Sequence, residues 1–571
     1  MKYARKIAAL LAAVSLSAAA NTYAMGYVEP TDGTPPSQED WAGVDGTHFT
    51  WASKDVHYPK HANPRLAIVE DTVVKAWRGE RIGVQALLYS SSGTPGLELR
   101  AKGKGVDAQA RFVNYVLTNS YNTCGAPPDT LKPYLVPDVI DLESQKALDP
   151  MSVRPVWVSV CVPADAKPGK HEVSVEVSEA VSGKKVGALN LVVDVVGRTL
   201  PEPKNWAFNL NMWIQPYSVS RYHSVPKWSV EHFRLLRPYM EMLAAAGQKT
   251  ATAILFYEPW GDQSHDKFDP MVETTLKADG SWEYDYGVFD KWVEFLASCG
   301  IDGQINCFSM IPWDMSFRYW DEAERRYRHL KTTTGSPEYK ALWTPFLKSF
   351  AAHLKEKGWF EKTAIAMDER PLEDMLNAWK VAQEAVPGIK MALAGNHHGE
   401  LADKLYDYCI AFEQSFTPEE LALRKDKGFI STTYNCCAQA APNIFSNSSP
   451  DEAVYLPVAC AARGFDGYLR WAWMNWPDHP LQDTRFRLFA AGDTYSIYPG
   501  PRSSVRHERL VEGIQAYEKI RILRGEYRNS GDSAALETLE KAVLPFAHCD
   551  TANPIPAAPI FNALQELLNR Q

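Results

Sequence analysis

The chain has 571 residues, with 60 Lys and Arg against 69 Asp and Glu and a formal net charge of −9. That balance, and the lack of any Lys/Arg stripe, excludes the electrostatic footprint of a phosphate-backbone binder, so nucleic acid is not expected as a partner. The length is roughly twice the 250–300 residues at which single cores stop growing, so two or three domains are expected.

At the amino terminus Lys2, Arg5 and Lys6 precede an apolar run from Ile7 to Leu16, followed by small residues at Ala18–Ala20 and Ala24. This is the pattern of a signal peptide over 1–24, and the expectation is an exported protein, periplasmic or extracellular. The run is shorter than the roughly 20 apolar residues of a bilayer-spanning helix, and no second candidate follows, so the chain is not expected to be membrane-embedded.

From Arg81 to Gly197 apolar residues tend to alternate, as in Val156-Trp-Val-Ser-Val-Cys-Val and His171-Glu-Val-Ser-Val-Glu-Val. Turn chemistry such as Lys167-Pro-Gly-Lys separates these half-buried strands. Residues 27–203 therefore read as an antiparallel β-sandwich that ends at Pro201-Glu-Pro203. The nine cysteines are dispersed except for Cys436-Cys437, which suits neither a small disulfide scaffold nor a zinc module. Some pairing fits an oxidising compartment. Cys161, Cys307 and Cys409 lie in apolar strand-like runs and read as buried free thiols.

Over 204–503 short strands alternate with helix-length amphipathic segments. The candidate strands are 207–213, 249–256, 301–308, 363–368, 389–394, 407–412, 429–434 and 466–472, with periodic segments such as Val230–Ala246 and Leu372–Ala385 between most of them. The fold class is multidomain α/β, a sandwich followed by a (β/α)8 TIM-type barrel whose active site lies where the strands end. Leu510, Ile514 and Tyr517 at helical spacing open a last region, 504–571, read as closing helices packed on the barrel.

The fourth strand runs into Asp368-Glu369-Arg370-Pro371. Paired carboxylates serve glycosidic cleavage, one protonating the leaving oxygen and the other acting at the anomeric centre. They also cap helices, and Pro371 stands where a first helical turn would begin. Adjacent residues cannot easily flank a sugar ring, but they suit a substrate-assisted route. There the 2-acetamido carbonyl attacks the anomeric carbon, one carboxyl protonates the leaving group and its neighbour holds the acetamido N–H. That route requires an N-acetylated sugar and a break in the strand, since a continuing strand would send the two side chains to opposite faces.

Other strand ends offer Trp213 and Gln215, Glu258 and Trp260, Asn396 and His397, Tyr434, and Trp471, Trp473, Asn475 and Trp476. The tryptophans read as a stacking wall and acetamido pocket, or alternatively as core, and Tyr434 as a donor to the acetamido oxygen. With 18 Trp and 26 Tyr the chain is rich in rings suited to sugar stacking, although large aromatics also fill large cores. His397-His398 lacks further ligands at zinc-like spacing, so no catalytic metal is expected. Serine-hydrolase, Walker and dinucleotide motifs are absent from the sequence.

Met367-Asp-Glu-Arg-Pro371, Gly467-Tyr-Leu-Arg-Trp-Ala-Trp473, Tyr498-Pro-Gly-Pro-Arg-Ser-Ser504, the string Arg509 to Leu523, and Ala76-Trp-Arg-Gly-Glu-Arg81 together resemble glycoside hydrolase family 123. The resemblance runs from the sandwich to the last helices. It implies a retaining exo-β-N-acetylgalactosaminidase that needs no cofactor and acts on glycans ending in an N-acetylated amino sugar. Carried onto this chain, Asp368 would orient the acetamido group, Glu369 would be the general acid that later activates water, and Trp471 and Trp473 would bind substrate. An N-acetylglucosaminidase or broader hexosaminidase, and a non-catalytic glycan-binding protein on the same barrel, remain as alternatives. The oligomeric state is not legible.

Overall fold

The computed structural model describes residues 27–570, and the leader read over 1–24 lies outside the described residues. Two five-stranded sheets form the amino-terminal part. One orders Thr47–Ala52, Arg81–Ser90, Ser152–Cys161, Asp107–Thr118 and Tyr134–Ile140, all antiparallel. The other orders Asp71–Arg78, Lys185–Thr199, Gly169–Glu179, Thr94–Gly103 and Gln145–Leu148. One pairing departs from the antiparallel expectation, because Asp71–Arg78 runs parallel to Lys185–Thr199. These strands are separated by most of the sandwich, so no hairpin dictates opposite directions.

The facing sides share a core that joins Phe112, Val156 and Val158 to Leu99, Val175 and Leu191. Gly169–Glu179 buries Val173, Val175 and Val177 in alternation. Ser152–Cys161 is instead buried almost throughout, because its outer face is covered too: Val153 packs with Trp41 and Tyr89, and Trp157 with Val113, Ile140 and Val505. Cys161, the last residue of that strand and past the covered stretch, is exposed rather than buried, whereas Cys307 and Cys409 are buried.

Eight parallel strands follow: Asn209–Met212, Thr250–Ile254, Gln304–Phe308, Thr363–Met367, Lys390–Gly395, Asp407–Ala411, Ile430–Tyr434 and Gly467–Arg470. All eight fall within or against the sequence candidates. From the second strand to the eighth each pairs with the next, and the eighth pairs with the first, which leaves a nearly closed barrel. Between the first and second strands backbone pairing shrinks to a bridge of Leu210 with Gln248. Side chains complete that seam. Gln248 accepts from the Met212 N–H at 2.8 Å and donates to the Met212 carbonyl at 3.1 Å, and the Thr252 hydroxyl accepts from the Ile214 N–H at 3.2 Å.

Outer helices form where apolar residues recur every three or four positions. Pro337–Glu356 starts at Ser336, whose hydroxyl accepts from the Tyr339 N–H, and buries Leu342, Phe346, Phe350 and Leu354. The fifth strand lacks such a helix and is followed only by the single turn Gly399–Leu401, where Asn396 to Gly399 offers no amphipathic repeat. The loops after the second and third strands contribute a four-stranded sheet that the sequence reading did not anticipate, ordering Trp282–Asp285, Glu273–Leu276, Ser316–Asp321 and Arg326–Lys331.

The helix Val505–Ser530 joins sandwich to barrel. Gln515 exchanges two hydrogen bonds with the Arg81 backbone, both 2.8 Å, while Lys519 pairs with Glu80 at 2.6 Å and Arg81 with Glu508 at 3.1 Å. Trp77 donates to the Leu568 carbonyl at 3.0 Å. Tyr498 and Arg506 both reach Asp138 of the sandwich, and Arg502 reaches Asp141. Three of the strings that carry the resemblance are therefore the two sides of one interface. Among the described residues no helix is long and apolar enough to cross a membrane.

Candidate active site

The fourth barrel strand ends at Met367, Asp368 leaves it, and the chain bends at Glu369. This is the break that a paired-carboxylate site requires. Both side chains line a cavity of about 550 Å³ at the carboxyl-terminal end of the barrel.

Asp368 accepts from the Glu369 N–H through Oδ1 at 2.9 Å and from the Trp313 indole through Oδ2 at 3.2 Å. Trp313 is itself held, by its backbone N–H on the Pro259 carbonyl at 3.0 Å and by the Arg370 guanidinium 4.3 Å above its ring. Burial raises the Asp368 carboxyl above its ordinary range, against the pull of these donors. Glu369 is pushed up to about 7, first by burial and then by the neighbouring Asp368 charge. Its Oε1 accepts from the Tyr434 hydroxyl. A carboxyl poised near neutrality can both give and take a proton in one catalytic cycle.

The rest of the lining divides by chemistry. Trp213 and Trp260, stacked at 5.1 Å, and Trp313 stand on the side of the first three strands. Asn396, Glu413, Gln414 and Gln439 stand after the fifth, sixth and seventh. Trp471 forms a further wall, with its indole donating to Asp493 at 3.2 Å and its ring edge-on to Phe489 at 5.1 Å. Asp493 also takes Arg470, the buried last residue of the eighth strand, which donates to Asn443 at 2.7 Å.

Of the residues nominated from sequence, the structure brings Asp368, Glu369, Asn396, Tyr434 and Trp471 into the cavity, together with Trp213 and Trp260. Four nominated residues do not line this cavity. Trp473 is fully buried against His507, and Trp476 packs on Tyr222 and Tyr239 while donating to the Ile497 carbonyl at 2.9 Å. The Trp473 N–H bonds to the Trp213 carbonyl, which carries this segment behind the wall rather than along it. Asn475 is buried and accepts from the His265 N–H at 3.0 Å. His397 lies 2.9 Å from Glu420, the residue that completes the capping box of the helix Pro418–Asp426. Gln215 and Glu258 are likewise committed to loop backbone, at Asp266 and Phe268.

Sequence reasoning missed Trp313, Glu413, Gln414, Gln439 and Phe489. Glu413 and Gln414 follow the sixth candidate strand directly, so the rule that selected Asn396 selects them equally. It also missed Cys124 and Gly125, sandwich residues at the cavity rim. Cys124 is disulfide-bonded to Cys437 across 313 residues, with Cα atoms 4.8 Å apart. Pairing over such a distance has no local signature.

The glycoside hydrolase 123 catalytic domain matches residues 213–523, and the N-terminal domain of the same family matches residues 51–179. The fold is similar to that of a family 123 glycoside hydrolase from Clostridium perfringens, described for glycolipid glycan hydrolysis. The TM-score is 0.82 at 22% identity, over 92% of this chain and 97% of that one. Two short matches carry no argument: the N-terminal domain of PorA (10% identity, 27% of this chain and 98% of that one, TM-score 0.16) and a PapD-like domain of human CEP192 (10%, 30% and 92%, TM-score 0.14). No curated protein is significantly similar to the chain. On the strength of the two domain matches, which together take in both the sandwich and the barrel, the chain belongs to the glycoside hydrolase 123 family.

Proposed function

We propose that the protein is a retaining, exo-acting β-N-acetylgalactosaminidase that removes terminal β-GalNAc from glycans by substrate-assisted catalysis. The observation that carries this reading is the adjacent pair at the fourth strand end, with Asp368 beside indole rings and Glu369 near neutrality. In the proposed cycle the acetamido oxygen attacks the anomeric carbon as the glycosidic C–O bond breaks. Glu369 delivers its proton to the departing oxygen, and Asp368 holds the acetamido N–H. A water then attacks the anomeric carbon of the protonated oxazoline, whose N–H Asp368 still holds; Glu369 takes the water's proton, and the ring C–O bond at the anomeric carbon breaks to restore the acetamide. Two inversions give net retention. The apolar cluster of Trp213, Trp260 and Trp313 suits the acetamido methyl.

Export through the amino-terminal leader, to the periplasm or beyond, belongs to the same proposal. The Cys124–Cys437 disulfide supports it, because such bonds persist in oxidising compartments. The test is a panel of chromogenic β-glycosides of GalNAc, GlcNAc, galactose and glucose. Preferential release from β-GalNAc is expected. Comparable rates on β-galactoside and β-GalNAc would sink the internal-nucleophile mechanism, preference for GlcNAc would make it an N-acetylglucosaminidase, and no turnover would leave a glycan-binding protein.

A further inference from the structure

Two strands of the sandwich, Asp107–Thr118 and Tyr134–Ile140, pair as antiparallel neighbours, yet the segment that joins them, 119–133, has no helix or strand of its own. Antiparallel neighbours need a loop of only about 2–5 residues, and long unstructured connections in compact domains are usually lids or binding loops. This one leaves the sandwich for the cavity that holds Asp368 and Glu369, where Cys124 and Gly125 line the rim with Leu488 and Phe489. Its root is fixed on the barrel. The Leu117 N–H donates to the Gln482 carbonyl at 2.8 Å, the Thr484 N–H donates to the Leu117 carbonyl at 2.9 Å, and the Thr118 and Ser446 hydroxyls are bonded at 2.8 Å.

The two ends of the Cys124–Cys437 bond are held unequally. Cys437 belongs to a barrel loop tied down by the buried Asn443, which donates to the Cys436 carbonyl at 2.9 Å and the Gln439 carbonyl at 2.6 Å. Asn443 also accepts from Arg470 at 2.7 Å, and its N–H donates to Glu452 at 2.7 Å. Cys124 lies in a stretch, 122–126, that is exposed throughout. Beside it the Gly125 N–H donates to the Leu488 carbonyl at 3.0 Å, while the Tyr121 hydroxyl and the Leu131 N–H bond within the loop itself. So few bonds do not offset the entropy of ordering such a segment. Cutting the disulfide therefore frees 119–133 and leaves the barrel loop where it is. The bond is open to attack from outside, because Cys124 is exposed although Cys437 is buried. It is guarded from inside. The neighbouring thiol of Cys436 is pushed up to about 12 by burial, so little thiolate is present to scramble the pair.

We propose that the Cys124–Cys437 bond is a redox clasp, which holds the sandwich loop 119–133 closed on the cavity rim, and that a dithiol reductant opens it and weakens substrate binding. A thiolate of the reductant attacks the exposed Cys124 sulfur, forming a mixed disulfide and releasing Cys437 as a thiolate that takes up a proton. The second thiolate of the reductant then displaces Cys124, which is protonated in turn. Two electrons pass from the dithiol, which ends as a disulfide, to the protein, which ends with two thiols. Opening withdraws Cys124 and Gly125 from the rim and removes the support of Leu488, whose neighbour Phe489 packs on Trp471 at 5.1 Å. Asp368 and Glu369 are held by Trp313 and Tyr434 and stay in place. Substrate then binds only the fraction of molecules with the loop closed, so apparent affinity falls by that fraction while turnover of the bound complex is kept. The inference rests on the reading of this cavity as the substrate site, and not on which sugar it takes.

The experiment compares the oxidised protein with the same protein treated with dithiothreitol and desalted without air. Thiols counted in denaturant should number seven before treatment and nine after it. On the nitrophenyl glycoside that the oxidised protein hydrolyses best, reduction is expected to raise KM about fivefold or more with kcat within about twofold, and reoxidation to restore KM. Deuterium exchange should rise over 119–133 and stay unchanged over 436–443. Cys124→Ser should show the raised KM from the start and no response to dithiothreitol. Cys161→Ser, which removes an exposed thiol at a sandwich strand end, should respond as wild type does. A count of nine thiols with KM within about twofold of the oxidised value overturns the clasp. So does a loss confined to kcat, a count that stays at seven, or a melting curve showing the reduced form unfolded at the assay temperature. Oxidised protein that hydrolyses no glycoside of the panel overturns the functional reading instead.

Discussion

Asp368 and Glu369 are consecutive in the chain, yet their carboxylates are held from opposite sides of the cavity, the first by the Trp313 indole at 3.2 Å and the second by the Tyr434 hydroxyl. In the proposed cycle each has a different job, which makes their variants distinguishable.

For Glu369→Gln the loss depends on the leaving group. General acid catalysis contributes about 10²–10⁴-fold, so kcat/KM falls by that order on a sugar leaving group and far less on a nitrophenolate that departs unprotonated. Asp368→Asn slows the two substrates alike, because the defect falls on the internal nucleophile. Leaving-group dependence in the Asp368 variant alone would reverse the assignment.

The pH profile follows from Glu369. In the proposed cycle the protonated acid is the active form, so kcat/KM should decline as pH rises through about 7. Stability carries the same signature. Between the ordinary 4.5 and about 7 the folded protein keeps a proton that the unfolded chain has released, so Glu369 weakens the fold as pH rises across that window. Relative to wild type, Glu369→Gln should therefore melt higher at pH 8 than at pH 4.

Trp313→Phe tests whether the indole N–H positions Asp368. A hydrogen bond to a charged acceptor is worth about 1.5–3 kcal/mol, so kcat is expected to fall roughly 10- to 100-fold on sugar and nitrophenyl substrates alike. If the variant loses KM only, Trp313 is a stacking surface and nothing more.

Lys519 is fully buried and pairs with Glu80, whose side chain is 7% exposed. Removing one partner of such a pair costs about 3–5 kcal/mol, because an uncompensated charge stays inside. Urea denaturation of Glu80→Gln should show a loss of that order. Glu80→Gln with Lys519→Met should lose less than Glu80→Gln alone, and additive losses would mean that the two groups do not interact.

The barrel was legible because each strand is a short apolar run bounded by turn residues, and eight such runs in series leave few alternative folds. The position of the paired acids was legible because they directly follow a candidate barrel strand, and the strand ends form the face that holds the cavity. Trp473 and Trp476 were misread because three tryptophans within six residues look like one wall. Only Trp471 faces the cavity, and where the chain turns behind the first strand is decided by the backbone bond of Trp473 to Trp213. His397 was misread for a similar reason, since its partner Glu420 lies on the next outer helix. The sandwich contribution could not be read at all. Cys124 and Cys437 stand 313 residues apart, in the sandwich and the barrel, and only the tertiary fold brings them together.

The seam between the first two barrel strands has a consequence for how the molecule breathes. With a lone bridge and two side chains joining Asn209–Met212 to Thr250–Ile254, the barrel is in effect a rolled sheet fastened along one edge by Gln248 and Thr252. The Met212 and Ile214 amides, protected by side chains rather than by a ladder, should exchange with solvent deuterium sooner than the amides of the fully laddered fourth strand. Trp213 sits between those two amides, so the tryptophan side of the cavity is the side hung on the hinge.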